Sequence, residues 1–237
     1  MEVIIGSARI DENGHIAGGA AGDQKQNSVK DFKGEVSMQP YYTHAKKWLV
    51  LRPKNPEHAM KIAAAMITAC NNKNIGYDQK GRYGIIKNGT NAKVPTECDC
   101  SSLVRECIIE ATGIDPGDFN TSVEVSALLK TGLFEDARDS AIAPLCTGDV
   151  LVTKTKGHTA AVVSGFPRKS YSYYPGLSTV VTTTSIVEAL KAVGEKDVSF
   201  EHRKKIAIAN GISNYTGTAA QNTYLLNELK LGRLKRE

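Results

Sequence analysis

The sequence predicts an α+β protein in two parts. A mixed strand-and-helix unit spans residues 1–166, a linker spans 167–182, and a small three-helix unit spans 183–237. Three observations predict this. Residues 1–53 are strand-like and carry a hairpin signal. Residues 55–165 hold amphipathic helices followed by a pair of strands. Beyond 183, three helix starts are each closed by a glycine.

Within the β-rich N-terminal extension (1–53), Val3 to Ile10 reads as a strand. Asn13-Gly14 is a hairpin turn signal, and a return strand is expected from near His15. Gly18-Gly19-Ala20-Ala21-Gly22 lacks the Gly-Lys-Ser/Thr ending of a phosphate loop and reads as an irregular loop. Lys47 to Arg52, with the single tryptophan Trp48, reads as a further strand. Asn55-Pro56-Glu57 supplies an N-cap, an N1 proline and an early acid, opening a helix to about Asn71. In the next helix, Leu103, Val104, Cys107, Ile108 and Ala111 share one face. Arg105, Glu106 and Glu110 share the other, and Gly113 is placed to end it. Thr121-Ser122-Val123-Glu124 reads as a capping box for a short helix ending at Gly132. Gly148 to Thr153 and His158 to Val163 read as strands around a turn at 154–157. Helices over 186–193, 200–209 and 219–231 open at Ser185, Ser199 and Thr218 and stop at Gly194, Gly211 and Gly232.

Composition narrows the classes. With 237 residues, 41% hydrophobic and 23% charged, the chain can bury a proper core. No apolar run approaches the ~20 residues of a membrane span. Met1 to Ser7 lacks the pattern of a secretory signal, which predicts synthesis in the cytosol. Five cysteines form no disulfide framework, and Cys70, Cys107 and Cys146 read as buried packing. Cys98 and Cys100 make a Cys-x-Cys without the second pair a structural zinc site needs, so no metal or cofactor is expected. Residues 168–237 hold eleven Lys/Arg and six Asp/Glu, which accounts for the whole net charge of +5. The other 167 residues hold 30 − 11 = 19 basic and 25 − 6 = 19 acidic side chains. A basic C-terminal part suggests an anionic surface as partner.

The chemistry centres on Cys100. It falls at the first turn of an amphipathic helix, where unpaired N–H groups and the helix dipole favour an anion. Such a seat can lower a thiol pKa from ~8.5. His158 opens the second strand of the pair, where an imidazole of pKa ~6.5 can take or share the thiol proton. A cysteine with a distant histidine is the trace of a cysteine hydrolase. Asp99 reads as the helix N-cap, its charge turned away from the sulfur.

Asp99-Cys100-Ser101-Ser102-Leu103-Val104, then Gly148-Asp149-Val150-Leu151-Val152, then Gly157-His158-Thr159 resemble the NlpC-type, papain-like cysteine peptidases that cut peptidoglycan. The resemblance covers roughly residues 55–165. The N-terminal block is similar to the leader of phage endolysins through Ala8 to Gly14, Ala21-Gly22-Asp23-Gln24 and Val50 to Pro53. It implies Cys100 as nucleophile, His158 as base, and Tyr77 as a group holding the substrate carbonyl or the thiolate. The family's third polar residue after the base has no obvious counterpart here. Asp23, Gln24 and Asp78 are its candidates. Residues 209–222 resemble a module at the C-terminus of phage lysins and bacterial autolysins that is taken to bind cell wall.

The resemblance implies a phage endolysin that hydrolyses an amide in the stem peptide or cross-link of peptidoglycan through a thioester acyl-enzyme. Its partners would be peptidoglycan and anionic wall polymers, with no nucleic acid. It would be made in the host cytoplasm and released to the wall by a holin. Two other readings stay open: an N-acetylmuramoyl-L-alanine amidase or acyltransferase on the same scaffold, and a non-catalytic wall-binding phage protein.

Overall fold

The computed structural model describes residues 2–21, 35–167, 173–177 and 182–237, and the chain divides into two units, 1–168 and 169–237. The first is built on six strands: β1 (Ile4–Ala8), β2 (Val36–Pro40), β3 (Trp48–Leu51), β6 (Arg138–Asp139), β7 (Val150–Thr153) and β8 (Thr159–Ser164). They pair antiparallel in the order β2-β1-β8-β7-β3-β6. Period-two alternation sorts their side chains. Val150, Val152, Ala161 and Val163 pack on one face, with Leu51 and Ala8. Leu151, Ala160 and Val162 pack on the other, with Trp48 and Val50.

The first face carries the helices. α1 (Pro56–Cys70) and α3 (Cys100–Thr112) pack on each other and on the sheet through Ile62, Met66, Leu103, Val104, Cys107 and Ile108, all fully buried. Asn55 caps α1 by accepting the Glu57 N–H at 2.8 Å, with Pro56 in its first turn. Gly113 ends α3 in the left-handed conformation, φ 71°. β4 (Ile75–Tyr77) and β5 (Thr96–Cys98) form a parallel pair, and β5 leads directly into α3. The short helices α2 (Gly84–Asn88) and α4 (Glu124–Lys130) flank α3 in sequence.

Several expectations are corrected. The N-terminal strands are not an appendage, because β1 bonds to β8 and β3 to β7 inside the one sheet. The strand expected near His15 does not form. Asp11 Oδ1 accepts the Asn13 and His15 N–H groups and closes a tight loop, and the partner of β1 is β2. The capping box at 121–124 is also absent. Val123 holds the N-cap position of α4 without a side-chain bond, while the Thr121 hydroxyl accepts from Gly157 at 2.9 Å. On α3, Glu106 is buried and not solvated, since α2 packs over that face and Glu110 bonds the Thr90 N–H and hydroxyl.

The Gly148-Asp149 pair joins the helix layer to the sheet. Gly148 has φ +84°, and a Cβ there would strike the backbone of Ala59 in α1. Asp149 is fully buried and accepts twice from the Arg52 guanidinium (2.9 and 2.7 Å) and once from the Cys146 N–H (2.8 Å). Gly148→Ala combines a disfavoured backbone with a main-chain collision and should cost at least about 2 kcal/mol. Asp149→Ala strands a half-buried guanidinium and should cost roughly 3–5 kcal/mol. Thermal unfolding of each variant against the wild type checks both.

In the second unit α5 (Ile186–Ala192), α6 (Phe200–Ala209) and α7 (Ala219–Lys230) open on side-chain caps from Ser185, Ser199 and Thr218. Ile186, Leu190, Ile206, Leu225, Leu226 and Leu229 form its core, and Tyr174 is buried with them. The Tyr174 hydroxyl bonds Glu195 at 2.5 Å, and the Arg236 guanidinium lies 4.1 Å over its ring.

Candidate active site

Cys100 is the first residue of α3. Asp99, the N-cap, accepts the Ser102 N–H at 2.7 Å, and the Ser102 hydroxyl accepts the Asp99 N–H at 2.9 Å, which closes a capping box. Arg82 pairs with the Asp99 carboxylate at 2.9 Å and donates to Asp118 (3.0 Å) and to the Phe119 carbonyl (2.7 Å). The cap is thereby tied to the loop that leads into α4. The Cys100 sulfur lies 4.0 Å from the Ser101 hydroxyl, and the Thr159 backbone N–H is near enough to favour its charged form.

His158 immediately precedes that Thr159. Its own N–H donates to the Thr153 hydroxyl at 2.9 Å, and its carbonyl accepts the Thr153 N–H at 3.0 Å. On either side, Gly157 is held by Thr121 and the Thr159 hydroxyl by Glu124 at 2.7 Å, so residues 121–124 grip the chain on both flanks of His158. Strand parity sets the ring's direction. Thr159, Ala161 and Val163 alternate with His158, Ala160 and Val162, and the imidazole rests 6.0 Å from the Trp48 ring, tilted by 50°. Tyr42 and His44 meet Trp48 edge-on at 5.9 and 5.1 Å. Cys100 and His158 are both half-buried and no hydrogen bond joins them; the imidazole turns to Trp48, on the sheet face opposite the one that carries α3. The His158 Nε2 is buried without a hydrogen-bond partner among the described residues.

The electrostatics differ from the sequence expectation. The Cys100 thiol is not lowered. Burial, then the charges of Asp99 and Glu124, push it up from 9.0 to about 12 against the opposing Thr159 N–H and Ser101. Asp99 caps the helix as expected, yet its charge still reaches the sulfur. His158 is pulled down from 6.5 to about 4, first by burial, then by His44 and Arg9. Thiol and imidazole are therefore both neutral near pH 7.

Tyr77 is buried at the end of β4, in register with Cys98. Burial raises its hydroxyl to about 12, with Gln79 opposing and the charge of Cys100 adding to the rise. Asp78 is engaged elsewhere, accepting the Lys80 N–H at 2.9 Å and the Gly18 N–H at 3.3 Å. Asp23 and Gln24 lie outside the described residues. Cys98 points into the core, its thiol 3.5 Å from the Gly76 carbonyl. Sequence reasoning missed Tyr42 and Glu124. Burial raises the Tyr42 hydroxyl, and the Cys100 charge adds to the rise. Glu124 is fully buried at the start of α4, and its charge reaches the Cys100 sulfur. Nothing local in the sequence marks it, because its partner Thr159 is 35 positions away. Among the described residues no group of three or more His, Cys, Asp or Glu side chains could hold a metal ion. No helix there is long and apolar enough to cross a membrane.

Residues 5–168 match the endolysin-like domain family, more than two thirds of the chain, and the chain belongs to that family. Over 64 residues it is also 42% identical to the L-alanyl-D-glutamate peptidase of Listeria phage A118. That match covers 27% of this chain, which spans about a fifth (22%) of the phage protein's length. No solved structure matches the chain.

The folded value of His158 lies below its unfolded one, so the unfolded chain binds more protons between about pH 6.5 and 4. Stability from this group is present above pH 6.5 and is lost as pH falls through that window. An NMR titration should find the His158 ring with a midpoint near 4. A midpoint at or above 6.5 would contradict its burial.

Proposed function

We propose that this protein is a phage endolysin whose first unit hydrolyses an amide in the stem peptide or cross-link of peptidoglycan. Membership of the endolysin-like family and the likeness to a phage peptidase support the substrate class. The observation that carries the mechanism is the cysteine at the first turn of α3, whose charged form is favoured by the N–H of Thr159, the residue after His158. That placement supports a papain-like arrangement.

In this reading the Cys100 sulfur attacks the carbonyl carbon while His158 takes the thiol proton. The two groups start neutral, so proton transfer accompanies attack and does not precede it. This step requires the imidazole to leave Trp48 and come to the sulfur when substrate binds; catalytic hydrogen bonds are commonly loose before then. The first-turn N–H of Cys100 and the Tyr77 hydroxyl stabilise the oxyanion. His158 then protonates the leaving amine, and water releases the acyl group from sulfur. The basic second unit holds the enzyme on anionic wall polymer.

Cys100→Ala and His158→Ala should each abolish lysis of purified wall while leaving the fold intact by circular dichroism. Cys100→Ala lysing wall at the wild-type rate would end the mechanism. Tyr77→Phe, which removes one oxyanion donor worth ~3 kcal/mol, should slow turnover by roughly a hundredfold. Mass spectrometry of the digest identifies the new amine and names the bond. A free muramoyl lactyl group would assign the amidase reading in its place. Since no thiolate is preformed, Cys100 in the free protein should alkylate slowly with iodoacetamide at pH 7 and steadily faster at higher pH. A fast plateau near neutrality would show a resting ion pair.

A further inference from the structure

We infer that Glu124 is the positioning residue of the Cys100–His158 site and that it works as the protonated acid, clasping the Thr159 hydroxyl. The inference rests on the mechanism proposed above. It starts from a count of protons. The Thr159 hydroxyl lies 2.9 Å from the Leu151 carbonyl and 2.7 Å from Glu124 Oε1. A hydroxyl has one proton to give, and a carbonyl can only accept. If Thr159 donates to Leu151, the second bond needs a proton carried by Glu124. The neutral acid satisfies both contacts, whereas the carboxylate satisfies one.

The surroundings favour the neutral form. Glu124 is fully inaccessible to solvent, as is Thr159, and its Oε2 has no hydrogen-bond partner among the described residues. The ionisable groups whose charge bears on it come from the start of α3. They are Asp99, a like charge paired with Arg82, and the Cys100 thiol. Burial, with Asp99 adding to it against the Thr159 bond, raises the Glu124 carboxyl from 4.5 to about 8.

Its position explains what the clasp does. The Thr159 N–H favours the charged Cys100 sulfur and the preceding residue is His158, so one contact with Glu124 holds the strand start that serves both. Thr121, three residues before Glu124, fixes Gly157 on the far side of His158. The family's orienting residue acts on the imidazole itself, whereas Glu124 acts on the strand that carries it. Ionisation would remove one bond of the clasp and place a negative charge beside the sulfur, opposing formation of the thiolate.

The test compares Glu124→Gln with Glu124→Ala and the wild type. Alkylation of Cys100 by iodoacetamide is followed by peptide mass spectrometry from pH 6 to 9.5, alongside kcat and KM on purified wall. Glutamine keeps an N–H donor for Thr159 and cannot ionise. The Cys100 alkylation rate at pH 9 relative to that at pH 6.5 should be about three- to tenfold higher in Glu124→Gln than in wild type. Glu124→Ala should lose roughly tenfold in kcat with little change in KM, and Glu124→Gln should recover most of that loss. An alkylation ratio independent of pH, or a Glu124→Ala enzyme with wild-type kcat, overturns the inference. If neither variant folds, Thr159→Val and Thr159→Ser carry the test. Valine should lower kcat as Glu124→Ala would, serine should restore it, and wild-type turnover in Thr159→Val overturns the clasp. Should Cys100→Ala retain activity, the nucleophile assignment fails while the alkylation profile still tests the coupling of Glu124 to Cys100.

Discussion

The Thr159 hydroxyl, bonded to Glu124 at 2.7 Å and to the Leu151 carbonyl at 2.9 Å, ties the opening of β8 to α4 and β7, and its backbone N–H bears on the Cys100 sulfur at the first turn of α3. That neighbourhood requires a helix start and a strand start from segments 59 positions apart to come close together. The sheet order supplies that meeting, because β8 sits between β1 and β7, beneath the helices. Gly148 lets the chain entering β7 pass against α1 at a distance no side chain would permit. Asp149, bonded to Arg52 and to the Cys146 N–H, holds the same crossing. Buried packing of Leu103, Val104, Cys107 and Ile108 then fixes the height of α3 over the strands.

Electrostatics in this site are decided by burial. A helix N-terminus stabilises an anion by ~0.3–2 kcal/mol, which changes an acid constant by roughly tenfold. That is too little to offset the burial, Asp99 and Glu124 that carry the Cys100 thiol to about 12. The same burial carries His158 to about 4, helped by His44 and Arg9. Both the thiol and the imidazole are therefore neutral near pH 7. The capping box acts in two directions: Asp99 stabilises the start of α3, and its charge opposes ionisation of Cys100.

Local elements follow from local chemistry, and these were legible. Asn55-Pro56-Glu57 opens α1, Asp99 caps α3 and Gly113 ends it. Ser185, Ser199 and Thr218 open the helices of the second unit. The failures were also local signals, but ones that longer-range contacts outcompeted. Thr121 and Glu124 have the spacing of a capping box, yet each bonds the β8 end of the neighbouring hairpin. Asn13-Gly14 has the form of a hairpin turn, yet Asp11 closes the loop on itself and β1 pairs with residues 36–40.

The sequence by itself determined where α1, α3 and the helices of the second unit begin, that Cys100 starts a buried amphipathic helix, and that His158 stands at the head of a strand. Caps, glycines and apolar periodicity act within a few residues, so they can be read in order along the chain. Only the tertiary structure decided that the N-terminal strands complete the central sheet, that the thiol and imidazole are both neutral, and that Glu124 lies beside them. Those outcomes depend on desolvation and on which side chains share a space, and burial is a property of the assembled core that no local pattern encodes.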